Sequence, residues 1–407
     1  MRFALFCDDL LAKPIVDALG SRVDGHQLSH AVRVTPQTDA LLHGQKNVSF
    51  VEHWEDLLVA KDVDAVIVGG SDQMILDGSK QLAAAGIPIL FIPRAAQGST
   101  FAYELSLIRD DNNVLLWPLF WHRFDSAVMR LKQAIQNGEL GKVQFLQVQR
   151  MIGQDSAGVP ISQSQVDDEL LHDVDLPRWM IGDYDQVTGL RTAASNEGVM
   201  IQSVVLAGRS LPESNWSINS VEGASDWKLT VRGEKGVATL RRDGTSRRWI
   251  CQIAGDQVEG SESETARAAL AAFASAMADV AHPSNENLTT EQPSRDVWGE
   301  LVKCYETVDA THRSVRRRRT IELHFEPMSE RAIFKTQMTA IGCSLLVITF
   351  FLTLCYLGIA SLIPLPPTAL VILRTLVFAP IFLFLVAQIL LPLTRPSSAE
   401  RPPAATR

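Results

Sequence analysis

An acidic residue and a histidine lie four positions apart near the middle of the chain, at Asp168 and His172. Four residues is about one helical turn, so on a helix the two side chains share a face. A carboxylate placed there orients an imidazole and raises its pKa above the usual value of about 6.5, which suits proton transfer. The pair is our first candidate for catalysis, and a purely structural pair is the alternative.

The first predicted strand ends in residues that bear on phosphate binding. After apolar residues 3–6, the chain reads Cys7-Asp-Asp-Leu-Leu-Ala12. A dinucleotide-binding fold carries G-x-G-x-x-G at this turn, because the backbone must approach the pyrophosphate closely. Only Ala12 suits that pattern, since Cys7 and Asp9 stand at glycine positions and Asp8 adds a second carboxylate. Two carboxylates at a helix N-terminus oppose a bound phosphate, so we expect NAD or NADP to bind weakly here.

The elements that must position these residues fall into two groups. In the first group, apolar strands alternate with helical patterns and turns, one of them Gly69-Gly70. This pattern predicts a Rossmann-like, doubly wound parallel sheet over residues 1–120, in the α/β class. The strands that it predicts include 3–6, 63–68, 87–92 and 113–117.

From residue 121 onward the strand pattern changes. Segment 142–150 alternates apolar and polar residues with period two, and a Gly-rich turn joins the strand-like segments 227–232 and 237–242. Such alternation is typical of half-buried strands in an antiparallel sheet. Residues 121–325 are therefore predicted to form an α+β domain with a largely antiparallel, open sheet.

Four stretches of this body carry a recognisable pattern. They are 54–68 (WEDLLVAKDVDAVIV), 121–143 (which begins WHRF and ends NGELGKV), 171–182 (LHDVDLPRWMIG) and 298–314 with the following TIEL at 320–323. In these stretches the chain resembles the Gfo/Idh/MocA family, which includes glucose–fructose oxidoreductase and inositol 2-dehydrogenase. The resemblance covers about residues 1–325. It implies NAD(P)-linked oxidation or reduction of sugars and cyclitols, and a second-domain sheet that often forms the interface of a homo-oligomer.

The resemblance also implies roles for individual residues. Asp168 and His172 match the catalytic Asp-x-x-x-His pair of the family. The catalytic Lys of the Glu-Lys-Pro motif is missing, because Pro93 stands in its place and Arg94 follows one residue later. Arginine is too strong a base to exchange a proton there.

The remaining site residues follow from the same resemblance. Gly69, Gly70, Pro93 and Arg94 join Cys7, Asp8, Asp9 and Ala12 as altered cofactor positions. Arg123 and Asp175 are assigned to substrate binding. No metal site is expected.

The C-terminal region predicts a membrane hairpin. Residues 336–373 contain no charged residue, a second apolar run covers 369–393, and a Pro-rich turn at 364–368 separates them. About 20 apolar residues span a bilayer as a helix, so we predict two transmembrane helices within 336–393. A linker at 326–335 precedes them, and a disordered tail at 394–407 follows. The alternative is a buried hairpin in a large soluble core.

Basic residues set the expected orientation of that hairpin. Arg331 and Lys335 precede it, Arg395 follows it, and the turn itself has no basic residue. The positive-inside rule therefore places the N-terminal body and the C-terminus in the cytoplasm, with the lipid bilayer as a partner.

Composition excludes some functions and leaves three open. The net charge is −8, which argues against nucleic-acid binding, and the five cysteines lack the spacing of a zinc site or a disulfide framework. The first hypothesis is a membrane-tethered member of this oxidoreductase family that binds a sugar-like ligand, with NAD(P) redox activity weakened or lost. The second is a working NAD(P)-dependent sugar or cyclitol oxidoreductase with a rearranged site. The third is a non-catalytic, dimerising scaffold at the membrane. Whether the protein is an enzyme stays open at this stage.

Overall fold

A computed structural model describes residues 1–21, 25–45, 48–153, 161–193, 198–221, 223–242, 248–281, 297–325, 347–354, 356 and 375. Residues Met1–His324 form one compact unit, and Phe325–Arg407 belong to a second. The predicted hairpin at 336–393 lies mostly outside the described residues, as do the linker and the tail. Within the part of the chain that the structure describes, no helix combines the length and apolarity needed to cross a bilayer.

The N-terminal half of the compact unit alternates strands with helices, as predicted. Its strands are β1 (Arg2–Cys7), β2 (Gln27–Val32), β3 (Ser49–Val51), β4 (Ala65–Gly69), β5 (Ile89–Ile92) and β6 (Leu116–Pro118). Its helices are α1 (Lys13–Gly20), α2 (Pro36–Leu41), α3 (Asp56–Val59), α4 (Gln73–Ala84) and α5 (Gly98–Asn112). The predicted strand at 113–117 begins three residues late, because α5 runs on to Asn112 and ends in a left-handed Asn113 with φ 50°.

The six strands form one parallel sheet in the order β3-β2-β1-β4-β5-β6. This is the dinucleotide-binding order, in which the chain reverses direction across the sheet beside β1. Phe3 to Cys7 are fully buried, as a strand covered on both faces requires. The carboxyl ends of β1, β4 and β5 therefore meet at one edge, where the first turn, the Gly69–Gly70 turn and Arg94 lie.

The second half is built on a nine-stranded sheet. Its strands are β7 (Val143–Gly153), β8 (Gln186–Ala193), β9 (Val199–Ala207), β10 (Glu213–Val221), β11 (Asp226–Gly233), β12 (Val237–Arg242), β13 (Trp249–Ile253), β14 (Asp256–Glu259) and β15 (Ile321–Glu322). Its helices are α6 (Ser126–Gln136), α7 (Gln163–Ile181), α8 (Glu262–Ala281) and α9 (Val297–Arg317). The order is β14-β13-β12-β11-β7-β10-β9-β8-β15, and every pairing is antiparallel except that of β7 with β10. The predicted antiparallel sheet is confirmed.

The two last helices of the unit return to the first sheet. Phe273 of α8 is fully buried against Phe3 of β1, with ring centroids 5.9 Å apart. Trp298 of α9 is buried against Phe91 of β5, and its indole N–H donates to the Ala102 carbonyl at 3.0 Å. The N-terminal sheet thus takes part of its core from the C-terminal half of the chain, which fixes the two sheets relative to each other and shapes the cleft between them.

Candidate active site

The turn after β1 is capped by the side chain of Asp9, one of its own residues. Asp9 Oδ1 accepts a hydrogen bond from the Leu11 amide at 2.9 Å, and Asp9 Oδ2 lies 3.4 Å from Arg94 Nη1. The Leu11 amide is one of the donors that a helix N-terminus offers to an anion. Ala12 is buried beneath the turn. The Asp9 carboxylate therefore uses an amide that an anion bound at this turn would otherwise contact.

Cys7 and Asp8 are held by the neighbouring glycine turn. Cys7 is fully buried, and burial raises the pKa of its thiol far above the usual range, so it is not a reactive thiolate. Gly70 has φ +127°, and a Cβ there would overlap the Asp8 carboxylate. A Cβ on Gly69 would come within 2.7 Å of Cys7 Sγ. The two glycines are thus needed for the close approach of β4 to the first turn, and burial, with Asp9 adding to it, raises the pKa of Asp8.

Arg94 connects the two halves of the cleft. Its Nη2 lies 2.8 Å from Asp168 Oδ2, and Asp168 Oδ1 accepts from the Ala95 amide at 2.7 Å. The Tyr305 hydroxyl, from α9, lies 2.9 Å from the Arg94 carbonyl. Arg94 therefore bridges Asp9 and Asp168, while the preceding Pro93 supplies no cation.

This geometry corrects the expected pairing of Asp168 with His172. Asp168 and His172 do share α7, but the carboxylate turns to Arg94 and the Ala95 amide. Burial raises the pKa of Asp168, and Arg94 opposes that shift. The prediction that both residues lie on one helix was correct. The spacing could not show that Arg94 and the Ala95 amide, which follow β5, would bind the Asp168 carboxylate.

The His172 side chain is partly buried where it lines the cleft, and its imidazole is neutral near pH 7. Burial, followed by the charge of His122, lowers its pKa to about 4. The expectation of a raised pKa was wrong, because desolvation outweighs the opposing charge of Asp173. Its Nε2 has no hydrogen-bond partner among the described residues, although His172 lines the cleft. A neutral imidazole nitrogen without a partner can accept a hydrogen bond or a proton. Nε2 is itself buried, so the ring must turn toward the cleft for a ligand hydroxyl to reach it.

Beside His172, a second arginine is fixed by a buried network. Asp173 accepts from Arg150 Nε at 3.0 Å and Nη2 at 2.7 Å, and from the indole N–H groups of Trp216 at 2.8 Å and Trp227 at 3.0 Å. Arg150 Nη1 lies 2.7 Å from Glu169. All the acceptor capacity of Asp173 is thus used to hold Arg150 at the cleft. The sequence analysis did not identify these residues, because the network joins α7 to strands β7, β10 and β11.

The two residues assigned to substrate lie behind the cleft. Asp175 is fully buried, forms an ion pair with Arg123 and is hydrogen-bonded to His122 Nε2 at 2.7 Å. Burial opposes ionisation, but Arg123 and His122 together hold the pKa of Asp175 below its usual range. Neither Arg123 nor Asp175 lines the cleft, whereas His122 does. The structure therefore places the predicted pair in a supporting position, where it fixes His122.

The cleft itself is a cavity of about 350 Å³ between the carboxyl edge of the parallel sheet and the second sheet. It brings Arg94, Asp168 and His172 together with residues of α1, α8 and the strands β12 and β13. Its lining comprises Leu10, Leu11, Lys13, Pro14, Asp17, Arg94, Trp121, His122, Asp125, Arg150, Asp168, Glu169, His172, Asp173, Leu176, Arg242, Arg248, Trp249, Glu262 and Thr265. Among the residues that the structure describes, no cluster of His, Cys, Asp and Glu has the arrangement of a metal site.

Comparisons with known proteins agree with this architecture. No family model matches the chain. The myo-inositol dehydrogenase Hyg17 of Streptomyces leeuwenhoekii is 29% identical over 130 residues, which is 31% of this chain and 39% of that protein. The chain thus aligns with well under half of the length of this relative.

Solved structures match over most of the chain. A myo-inositol dehydrogenase from Corynebacterium glutamicum superposes with a TM-score of 0.60 at 18% identity, over 80% of this chain and 99% of that one. An oxidoreductase from Agrobacterium radiobacter, in complex with NAD⁺, gives 0.61 at 14% identity, over 79% and 98%. The chain has the Gfo/Idh/MocA-like fold, in the form seen in inositol dehydrogenases, as the sequence resemblance indicated. Solved structures of this fold hold NAD or NADP.

Proposed function

We propose that this protein is an NAD(P)-linked oxidoreductase that acts on a hydroxyl group of a sugar-like or cyclitol-like substrate. The observation that carries the proposal is His172, which is neutral, has an unoccupied Nε2, and lines a cleft at the edge where a Rossmann-type sheet receives its cofactor. Solved structures of this fold with NAD or NADP bound support the cofactor class. An inositol dehydrogenase relative supports the substrate class.

The lining of the cleft suits a neutral polyol. Trp121 and Trp249 supply aromatic surface to the lining, which also contains several carboxylates and guanidinium groups. Arg94 and Arg150 are each balanced by two carboxylates, so the cleft does not present excess positive charge to an acidic ligand. Several fixed donors and acceptors around one cavity match a ring with several hydroxyl groups.

We assign separate roles in the reaction to individual residues of the cleft. His172 Nε2 accepts the proton of the substrate hydroxyl as it is oxidised, or returns it in the reverse direction. Arg94, held by Asp9 and Asp168, supplies a fixed positive charge beside the oxygen, but it does not exchange a proton as a lysine would. A bound nicotinamide would supply the hydride acceptor. Burial, with His122 adding to it, lowers the pKa of His172 and so keeps the acceptor neutral. Asp175 fixes His122 beside it.

The residues at the carboxyl edge of the parallel sheet fit a bound dinucleotide only in part. The strand order and the close approach at Gly69 and Gly70 suit it. The first turn does not, because Asp9 already takes the Leu11 amide and brings a negative charge. We therefore propose that NAD(P) binds more weakly than in a chain with the glycine fingerprint.

A substrate panel tests the function. The full-length chain is incubated with NAD⁺ or NADP⁺ and a set of inositols, aldoses and their derivatives, and nicotinamide reduction is followed by absorbance. We expect turnover with at least one polyol, and a loss of about 10²–10⁴-fold in His172→Gln. His53→Gln, on an exposed histidine, is the matched control and should keep wild-type turnover. Unchanged turnover in His172→Gln would remove His172 from the mechanism.

A second candidate is a binding protein without redox turnover. It is favoured by the combination of Pro93 at the lysine position and Asp9 across the first turn. This candidate predicts that a polyol raises the melting temperature while NADH and NADPH change it by nothing measurable. Stabilisation by either dinucleotide would count against it.

Membrane attachment is part of the proposal. The apolar runs in 336–393 motivate a two-span hairpin with the body and the C-terminus in the cytoplasm. In the described helical segment 347–354, Phe350 and Phe351 are each 61% exposed, as side chains facing lipid would be. Fractionation without detergent should place the full chain in the membrane pellet, and residues 1–325 alone in the supernatant. Full-length protein in the supernatant would contradict attachment.

We also propose that the second sheet mediates a homo-oligomer. Ile201 of β9 pairs with Asn219 of β10, and Asn219 pairs with Met151 of β7, so these side chains share one face. Leu190 is two-thirds exposed on β8, in a position that the register places on the same face. Ile201→Lys should shift the mass measured by light scattering to that of a monomer. An unchanged mass would exclude this face.

A further inference from the structure

The end of strand β2 carries an arginine where a dinucleotide-binding sheet meets the adenosine half of its cofactor. β2 ends at Val32 and Arg33 follows directly, with no acidic residue before Asp39. The Thr38 hydroxyl of α2 donates to the Cys7 carbonyl at 3.2 Å. The connection from β2 to α2 therefore lies beside the first turn, at the same edge of the sheet.

Contacts on two sides orient the Arg33 guanidinium. Its central carbon lies 4.6 Å from the centre of the Phe50 ring of β3, and its Nε donates to Asp39 Oδ1 at 3.2 Å. The side chain is still 59% exposed. A guanidinium has five N–H donors in a flat fork, so the bond to Asp39 leaves donor capacity for a phosphate. Stacking on an aromatic ring holds that fork in a fixed plane.

The chemistry of this position separates the two nicotinamide cofactors. In this strand order, a carboxylate near the end of β2 bonds the ribose 2′-hydroxyl of NAD, whereas an arginine accommodates the 2′-phosphate of NADP. We propose that Arg33, stacked on Phe50, binds the 2′-phosphate of NADP(H), so that the protein prefers NADP(H) over NAD(H). This inference rests on the proposed function in so far as the chain binds a dinucleotide.

The preference also fits the closed first turn. Because Asp9 already accepts the Leu11 amide, that amide is not available to the pyrophosphate of a cofactor. More of the affinity for the cofactor must then come from contacts with its other parts. A charge-assisted contact between Arg33 and a 2′-phosphate lies away from that turn and is available only to NADP(H). Asp39 competes for the guanidinium, but an exposed ion pair is weak and is readily exchanged for a dianionic phosphate.

Cofactor binding, measured without turnover, tests the assignment. Purified full-length protein, with detergent present, is titrated with NADPH and with NADH, and nicotinamide fluorescence gives each Kd. Adenosine 2′,5′-bisphosphate and 5′-AMP are then compared as competitors of NADPH, because they report on the adenosine half alone. We expect NADPH to bind about tenfold or more tightly than NADH, and the bisphosphate to compete better than AMP by a similar factor.

Arg33→Gln should remove both differences and leave NADH binding unchanged. Arg209→Gln, on an exposed arginine in the connection between β9 and β10, is the matched control and should retain them. Equal binding of NADH and NADPH, or a preference that survives Arg33→Gln, would overturn the role of Arg33 and leave the oxidoreductase proposal intact. Absence of binding by either dinucleotide would contradict this role and the NAD(P)-linked function together.

Discussion

The turn after β1 and the face of α7 that lines the cleft lie on opposite sides of Arg94, and they differ in what their polar atoms do. In the turn, Asp9 satisfies the Leu11 amide and contacts Arg94, so that the position is filled from within. On α7, His172 Nε2 is buried and has no hydrogen-bond partner among the described residues. The polar groups of the turn thus satisfy one another, whereas α7 leaves an imidazole nitrogen without a partner beside the cleft, where we propose that a ligand hydroxyl binds.

The largest expected effect comes from breaking the network that supports α7. Asp173→Ala removes a buried carboxylate that accepts four hydrogen bonds and leaves the Arg150 charge without its bidentate partner. We expect a loss of about 3–5 kcal/mol in the free energy of unfolding, measured by urea denaturation. Asp226→Ala, in a partly exposed contact with Arg241, should cost about 1 kcal/mol or less. A similar loss of unfolding free energy in both variants would show that the Asp173 network contributes no more to stability than an exposed ion pair.

The next effect is the pH dependence that neutral His172 imposes on stability. Its pKa is lowered to about 4 in the folded protein, against about 6.5 in the unfolded chain. Between these values the unfolded chain binds more protons, so stability is complete above about pH 6.5 and is lost as the pH falls toward 4. The contribution is about 3 kcal/mol.

A matched variant isolates that contribution. His172→Gln should flatten the fall in the free energy of unfolding between about pH 6.5 and 4. His53→Gln, on an exposed histidine, should reproduce the wild-type slope. If the slope of His172→Gln equals that of the wild type, His172 is not buried in its neutral form.

A smaller effect is expected at the first turn. Asp9→Asn keeps the size of the side chain and removes its charge, so it should tighten NADPH binding by about tenfold through reduced repulsion of the pyrophosphate. Asp64→Asn, at the opposite end of the strands beside Arg2, is the control and should leave the Kd unchanged. Weaker binding in Asp9→Asn would mean that Asp9 assists the cofactor instead of competing with it.

The same two regions show how far sequence reasoning reaches. The parallel sheet, the antiparallel sheet and the helix carrying Asp168 and His172 follow from apolar periodicity and from motifs that are local in sequence. The partner of Asp168 could not be predicted from its helix, because Arg94 arrives from the end of β5, a distance of 74 residues along the chain. The missing glycines and lysine were visible in the sequence, but not that Asp9 would cap the amide of Leu11.

Burial was the second quantity that spacing could not supply. The i, i+4 rule gave the correct face for His172 but the wrong direction for its pKa, since desolvation depends on strands that lie far away in sequence. Likewise, Asp175 was assigned to substrate because of its place in a motif, whereas packing of α7 against α9 buries it with Arg123. Electrostatic roles within a motif therefore need the tertiary neighbours of each residue.

An NMR titration of the histidines tests the central claim that His172 is a neutral proton acceptor in the cleft. The imidazole signals of the full-length protein are followed as the pH is lowered, and His172→Gln identifies the signal that belongs to this residue. We predict that His172 stays neutral as the pH falls to about 4, and that a bound polyol shifts its Nε2 resonance. A His172 signal that titrates at or above the ordinary value of about 6.5 would contradict this claim, because the imidazole would then not be desolvated and would be charged between about pH 4 and 6.5.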